Sequence, residues 1–215
     1  MQAHAARTLI ELALAQEHDS GSYARTLANR LAELQPDQGI HPTRTQQILR
    51  FVFQYVRHTA DILDSLHHAA ECAGLTDLAS PMIRVLDDLM VLGGGLCTDE
   101  RCLEEILDES FVIHRLIEEI NQLCLDQDLA PLLTLDMTSA NLVIRTLIGG
   151  TYAEELELIA HDAALGLLQQ TQLLRQQPEW YRAWRQCSSH LGGAADFGRP
   201  FFPPAVSAVD WDTLQ

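Results

Sequence analysis

The sequence predicts an all-α protein: an antiparallel bundle of about seven helices, followed by an extended C-terminal tail rich in aromatics and proline. Three observations predict it. Apolar residues recur at steps of three and four along most of the chain, and no stretch alternates as a strand would. Helix starts and stops punctuate that pattern, with Ser, Thr or Pro at the starts and Gly at the ends. At 215 residues and 47% apolar content, the chain can bury a core without disulfide staples. The expected division is one helical domain over residues 1–191 and a tail over 192–215 that packs on the bundle or docks a partner.

The elements follow in order. Residues 3–18 form a first helix, broken by His18-Asp19-Ser20-Gly21. Ser22 is the expected cap of a second helix, 22–34. After the breaker QPDQGIHP, Thr43 and Gln46 make a capping box for a long helix to residue 73. Its seam is Ile48, Val52, Tyr55, Thr59, Ile62, Leu66, Ala69 and Ala73, steps of four and three that hold a face on a neighbouring helix. Ser80-Pro81 opens a shorter helix to residue 92. Another long helix spans 99–125, with the seam Leu103, Ile106, Ser110, Ile113, Ile117, Ile120 and Cys124. A short helix over 138–148 ends at Gly149-Gly150, and Thr151 with Glu154 makes a second capping box for a helix over 151–177. Pro178 restarts the chain as a last helix to residue 191.

The 151–177 helix is apolar on two sides: Tyr152, Leu156, Ile159, Ala163 and Leu167 on one, Leu158, Leu165 and Leu168 on the other. Such a helix is either central to the bundle or buries its second face in another subunit. A two-fold homodimer through this helix is the expectation.

Charge restricts function. Thirty acids against fourteen bases give −16, a surface that repels nucleic acid and anionic lipid and favours a basic protein partner. No run of about 18 apolar residues exists, so no membrane-spanning helix is expected. The N-terminal stretch has no signal-peptide pattern, and five irregularly spaced cysteines fit reduced thiols, so a cytoplasmic location is expected. All fourteen bases are arginine. The absence of lysine fits a GC-rich genome, or selection against lysine modification in an effector delivered into another cell without a cleavable signal peptide.

Several constellations carry chemistry in principle. Residues 93–102, GGGLCTDERC, resemble a phosphate loop only in their glycines: Asp99 and Glu100 fill the positive helix end, and a Walker lysine is absent. With Thr98 as N-cap, Cys97 and Cys102 take the two positions of a hydrophobic staple, which also brings them close enough to form a redox pair. Three His/Glu pairs stand four apart on long helices: His67 with Glu71, His114 with Glu118, and Glu157 with His161. Facing one another, they would suit a di-iron-like bundle holding iron, manganese or zinc; the favoured reading is no metal and no cofactor, with the pairs as solvated neighbours. No nucleophile elbow occurs, and no catalytic residue is assigned.

Seven of the thirteen aromatics lie between residues 180 and 211. Trp180, Tyr181, Trp184, Arg185, Phe201 and Phe202 are the expected partner-binding residues, because aromatics and arginine anchor interfaces. The functional expectation is a non-enzymatic acidic interaction protein: an adaptor, chaperone or regulator.

Overall fold

A computed structural model describes residues 3–34, 42–72, 76–92, 102–126, 133 and 136–170. Within them lie seven helices and no strand: α1 (Ala3–Ser20), α2 (Ser22–Leu34), α3 (Pro42–Cys72), α4 (Thr76–Leu92), α5 (Leu103–Leu125), α6 (Thr138–Ile148) and α7 (Gly150–Gln170). The all-α bundle is therefore what the periodicity dictates. The expected helix over 178–191 and the tail lie outside the described residues. No described helix is long and apolar enough to cross a membrane.

All seven helices contribute to one contiguous apolar core. The described seam residues of α3 and α5 are buried without exception, including Tyr55, Thr59 and Ser110. Helix α5 is the hub. It packs against α1, α3, α4, α6 and α7, and buries Leu103, Ile106, Leu107, Phe111, Val112, Ile113, Leu116 and Ile117, which point to nearly every side. A helix apolar around most of its circumference belongs mostly in the interior.

Registers follow from ion pairs. Arg7 of α1 bonds Asp61 and Asp64 of α3, while Glu11 bonds Arg57. Numbers rising on one helix as they fall on the other make the two antiparallel. Across α5 and α7, Arg115 meets Glu157 and Glu119 meets His161. Those numbers rise together, so α5 and α7 run side by side in one direction after α6 has turned the chain back between them.

The two-sided helix needs correction in detail. The buried stripe of α7 is Ala153, Leu156, Ala160, Ala164 and Leu167. Three alanines in that stripe let α7 lie close along α5. Tyr152 and Ile159, on the first of the two expected apolar sides, are 47% and 49% exposed, and Leu158, on the second, is 64% exposed. The central place falls to α5, because its apolar residues surround it whereas α7 offers one continuous small-residue stripe.

Several caps also differ from expectation. Ser22 does not cap α2. The carboxylate of Glu17, one helix back, accepts the amides of Tyr23 (2.8 Å) and Ala24 (2.9 Å). Gly21, at φ +59°, turns the chain so that Glu17 can reach over the new helix start. Helix α3 starts at Pro42, ahead of Thr43, with proline in the first turn where no amide is needed. Helix α4 starts at Thr76, one turn before Ser80, which puts Pro81 in its second turn. At α7 the cap position is Gly149, at φ +105°, whose carbonyl accepts the amide of Ala153. Glu154, freed from the expected box, bonds Arg145 at 3.0 Å.

Glu17 is buried and satisfies two of the orphan amides of α2. The Glu17→Ala variant is expected to lose about 1–2 kcal/mol in urea unfolding. Glu11→Ala, which breaks only an exposed ion pair, is expected to lose less than about 1 kcal/mol.

Candidate functional site

The expected partner-binding residues Trp180, Tyr181, Trp184, Arg185, Phe201 and Phe202 lie outside the described residues, as does Cys97. Cys102 is described, and it does not occupy the expected fourth helical position. Helix α5 begins at Leu103, because Leu103, Ile106 and Leu107 bury its first turn. Cys102 stands just ahead of it, exposed, its carbonyl accepting the amide of Ile106. An exposed side chain there cannot serve as a staple.

The three His/Glu pairs do not meet. His67 and Glu71 sit toward the C-terminal end of α3, with Glu71 exposed. His114 is fully buried against α3. Glu157 lies between Arg115 (3.7 Å) and Arg145 (3.5 Å), and His161 bonds Glu119 at 3.0 Å. Among the described residues, no three His, Cys, Asp or Glu side chains are grouped to hold a metal.

What surrounds His114 is a polar cluster inside the core. The ring of Tyr55 meets its edge at 4.3 Å between centroids, nearly perpendicular, and His58 lies 5.5 Å away. The Tyr55 hydroxyl donates to Asn141 of α6 at 2.6 Å, joining α3 to α6. The Thr59 hydroxyl donates to the Tyr55 carbonyl, which leaves its oxygen facing His114 Nε2 at 3.5 Å. That arrangement assigns the proton of neutral His114 to Nε2. Burial pushes the imidazole of His114 well below its ordinary range and that of His58 down to about 4. Glu118, one turn along α5 from His114, is pushed up by burial while Arg115 opposes the rise. The residues around His114 were visible in the sequence only as Tyr55, Thr59 and Ser110 interrupting two apolar seams. Asn141 gave no such hint.

On the outward strip of α5, Arg115 pairs with Glu118, Glu119 and Glu157, and Arg145 of α6 pairs with Glu154 and Glu157. Partly exposed pairs like these contribute little energy each. They join α7 to α5 and α6 in the orientation in which its stripe Ala153, Leu156, Ala160, Ala164 and Leu167 is buried.

That face has a defined pattern. Tyr152 and Ile159 are seven residues apart, as are Leu158 and Leu165, and all four are exposed. Seven residues are about two turns, so each pair forms a row along the helix. Glu155 and Asp162, also exposed and seven apart, run between the two rows. Leu12, Leu125 and Leu142 are exposed on other helices. Comparison with family models, curated proteins and solved structures finds no match to this chain.

The buried histidines set a pH dependence. An unfolded-chain histidine titrates near 6.5, and above that pH His114 is neutral in both states. Below it the unfolded chain takes up a proton that the folded state refuses, so stability is lost as pH falls. Glu118 and Asp108, both pushed up by burial, act oppositely: their share is present at low pH and lost as pH rises. A single variant isolates the histidine. The destabilisation caused by His114→Gln is expected to be largest at pH 7.5 and to shrink by about 1.4 kcal/mol at pH 5.5, read by urea unfolding. A pH-independent difference would contradict a neutral buried His114.

Proposed function

We propose that this chain is a non-enzymatic interaction protein, an adaptor, chaperone or regulator, that docks a protein partner on the outer face of α7. One observation carries the reading: an acidic row, Glu155 and Asp162, lies between two exposed apolar rows, Tyr152/Ile159 and Leu158/Leu165. The matching surface has basic groups flanked by apolar side chains, and the net charge of −16 draws such a partner in. A two-fold dimer through the same face would set Glu155 and Asp162 against their own copies, like charge on like charge, which disfavours the homodimer.

Mass measurement of what co-purifies with the untagged wild type, compared with Leu158→Asp/Ile159→Asp, tests this. The double variant is expected to keep its helical circular dichroism and its unfolding midpoint, because neither side chain is in the core, and to lose a wild-type partner by about tenfold or more. Equal recovery with the folded variant, or a wild type that purifies as a homodimer through this face, would contradict it.

A further inference from the structure

The outer face of α7 carries a repeat. Glu155 is followed by Leu158 and Ile159, three and four positions on. Seven residues later, Asp162 is followed in the same way by Leu165 and Gly166. A step of seven advances about 10.5 Å along a helix and returns to nearly the same side.

That period selects the shape of what docks. Side chains on one side of an extended strand recur about every 6.8 Å, and so fall out of step with these rows. A second helix laid lengthwise on α7 repeats at the same distance and stays in step. Charge selects its composition. Glu155 and Asp162 are both exposed, so the matching helix has a basic residue at every seventh position, flanked by apolar ones.

Gly166 supplies an independent observation. It stands where Ile159 stands one repeat earlier. Glycine inside a helix is destabilising relative to alanine. Beyond its own helix, no described atom lies within 4 Å of a methyl group placed on Gly166, so packing of the described bundle does not call for a glycine there. A missing side chain on an outer face lets another helix come close, because the side chains at the contact set the distance between two helix axes.

We infer that the partner lays one amphipathic α-helix lengthwise on α7. Its basic residues, seven apart, lie over Glu155 and Asp162. Its apolar residues lie against Leu158, Ile159 and Leu165, and the two backbones come closest at Gly166. The inference rests on α7 being the docking face and adds what sits there. The α7 of a second copy does not fit, since it carries acids where bases are needed.

Fluorescence anisotropy of the full chain with a labelled peptide, three repeats of Arg-Ala-Gln-Leu-Leu-Ala-Gln, tests it. Saturable binding is expected, weakened about tenfold or more when glutamate replaces each arginine. A version with proline for the second alanine of each repeat cannot be helical and is expected not to bind. Glu155→Arg/Asp162→Arg is expected to prefer the glutamate peptide instead. Gly166→Leu is expected to keep or raise the unfolding midpoint and to weaken binding about tenfold. Leu12→Asp, at an exposed position on α1, leaves binding unchanged. No saturable binding, equal binding by the glutamate or proline peptide, or undiminished binding by folded Gly166→Leu would overturn the inference. Its failure is distinct from failure of the docking face. A cellular partner lost from Leu158→Asp/Ile159→Asp, with no peptide binding, keeps the face and rejects the helix. A partner that this variant retains rejects the face itself.

Discussion

Helix α5 packs against five other helices, and the polar residues it buries, Ser110 and His114 among them, lie against those neighbours rather than water. Its polar residues therefore dictate what its neighbours must supply. Tyr55 and Thr59 of α3 meet His114. Asn141 of α6 meets Tyr55. The narrow outward strip of α5 carries Arg115, and carboxylates of α5 and α7 gather around that guanidinium. The Tyr55–Asn141 hydrogen bond thus joins α3 to α6, and the ion pairs on the strip join α5 and α6 to α7.

The face that α7 shows is a consequence of that positioning. Its alanine stripe must lie against α5, since Ala153, Ala160 and Ala164 are the side chains small enough for close approach. With that stripe inward, Leu158 and Ile159 have no place in this bundle's core. Apolar side chains left outside by the geometry of a fold, with acids set between them, are the raw material of a specific protein contact. The neutral histidines belong to the opposite category: His114 is fully buried in the core and His58 nearly so.

Much of this was legible in the sequence, and the failures have identifiable causes. Helices α2 and α6 have the predicted bounds, because Gly21, Gly149 and the apolar periodicity mark them locally. The seams of α3 and α5 were readable because every fourth or third residue serves one neighbour. The cap of α2 was not, since Glu17 belongs to the preceding helix and reaches Tyr23 only through the left-handed turn at Gly21. The start of α5 shifted from Asp99 to Leu103 because burial of the first turn outweighed a local capping pattern. For α7 two apolar stripes were visible, yet choosing the inner one required knowing that alanines face α5. The aromatic group at residues 180–202 lies outside the described residues.

The outward face of α7 is the claim on which the functional reading rests, and hydroxyl-radical footprinting of the untagged wild-type chain reads it residue by residue. Tyr152, Leu158 and Ile159 should be oxidised at rates comparable to exposed Leu12, while Leu156 and Leu167 stay protected. Protection of Leu158 and Ile159 equal to that of Leu156, in the protein alone, would mean that the face is already covered and would contradict the account.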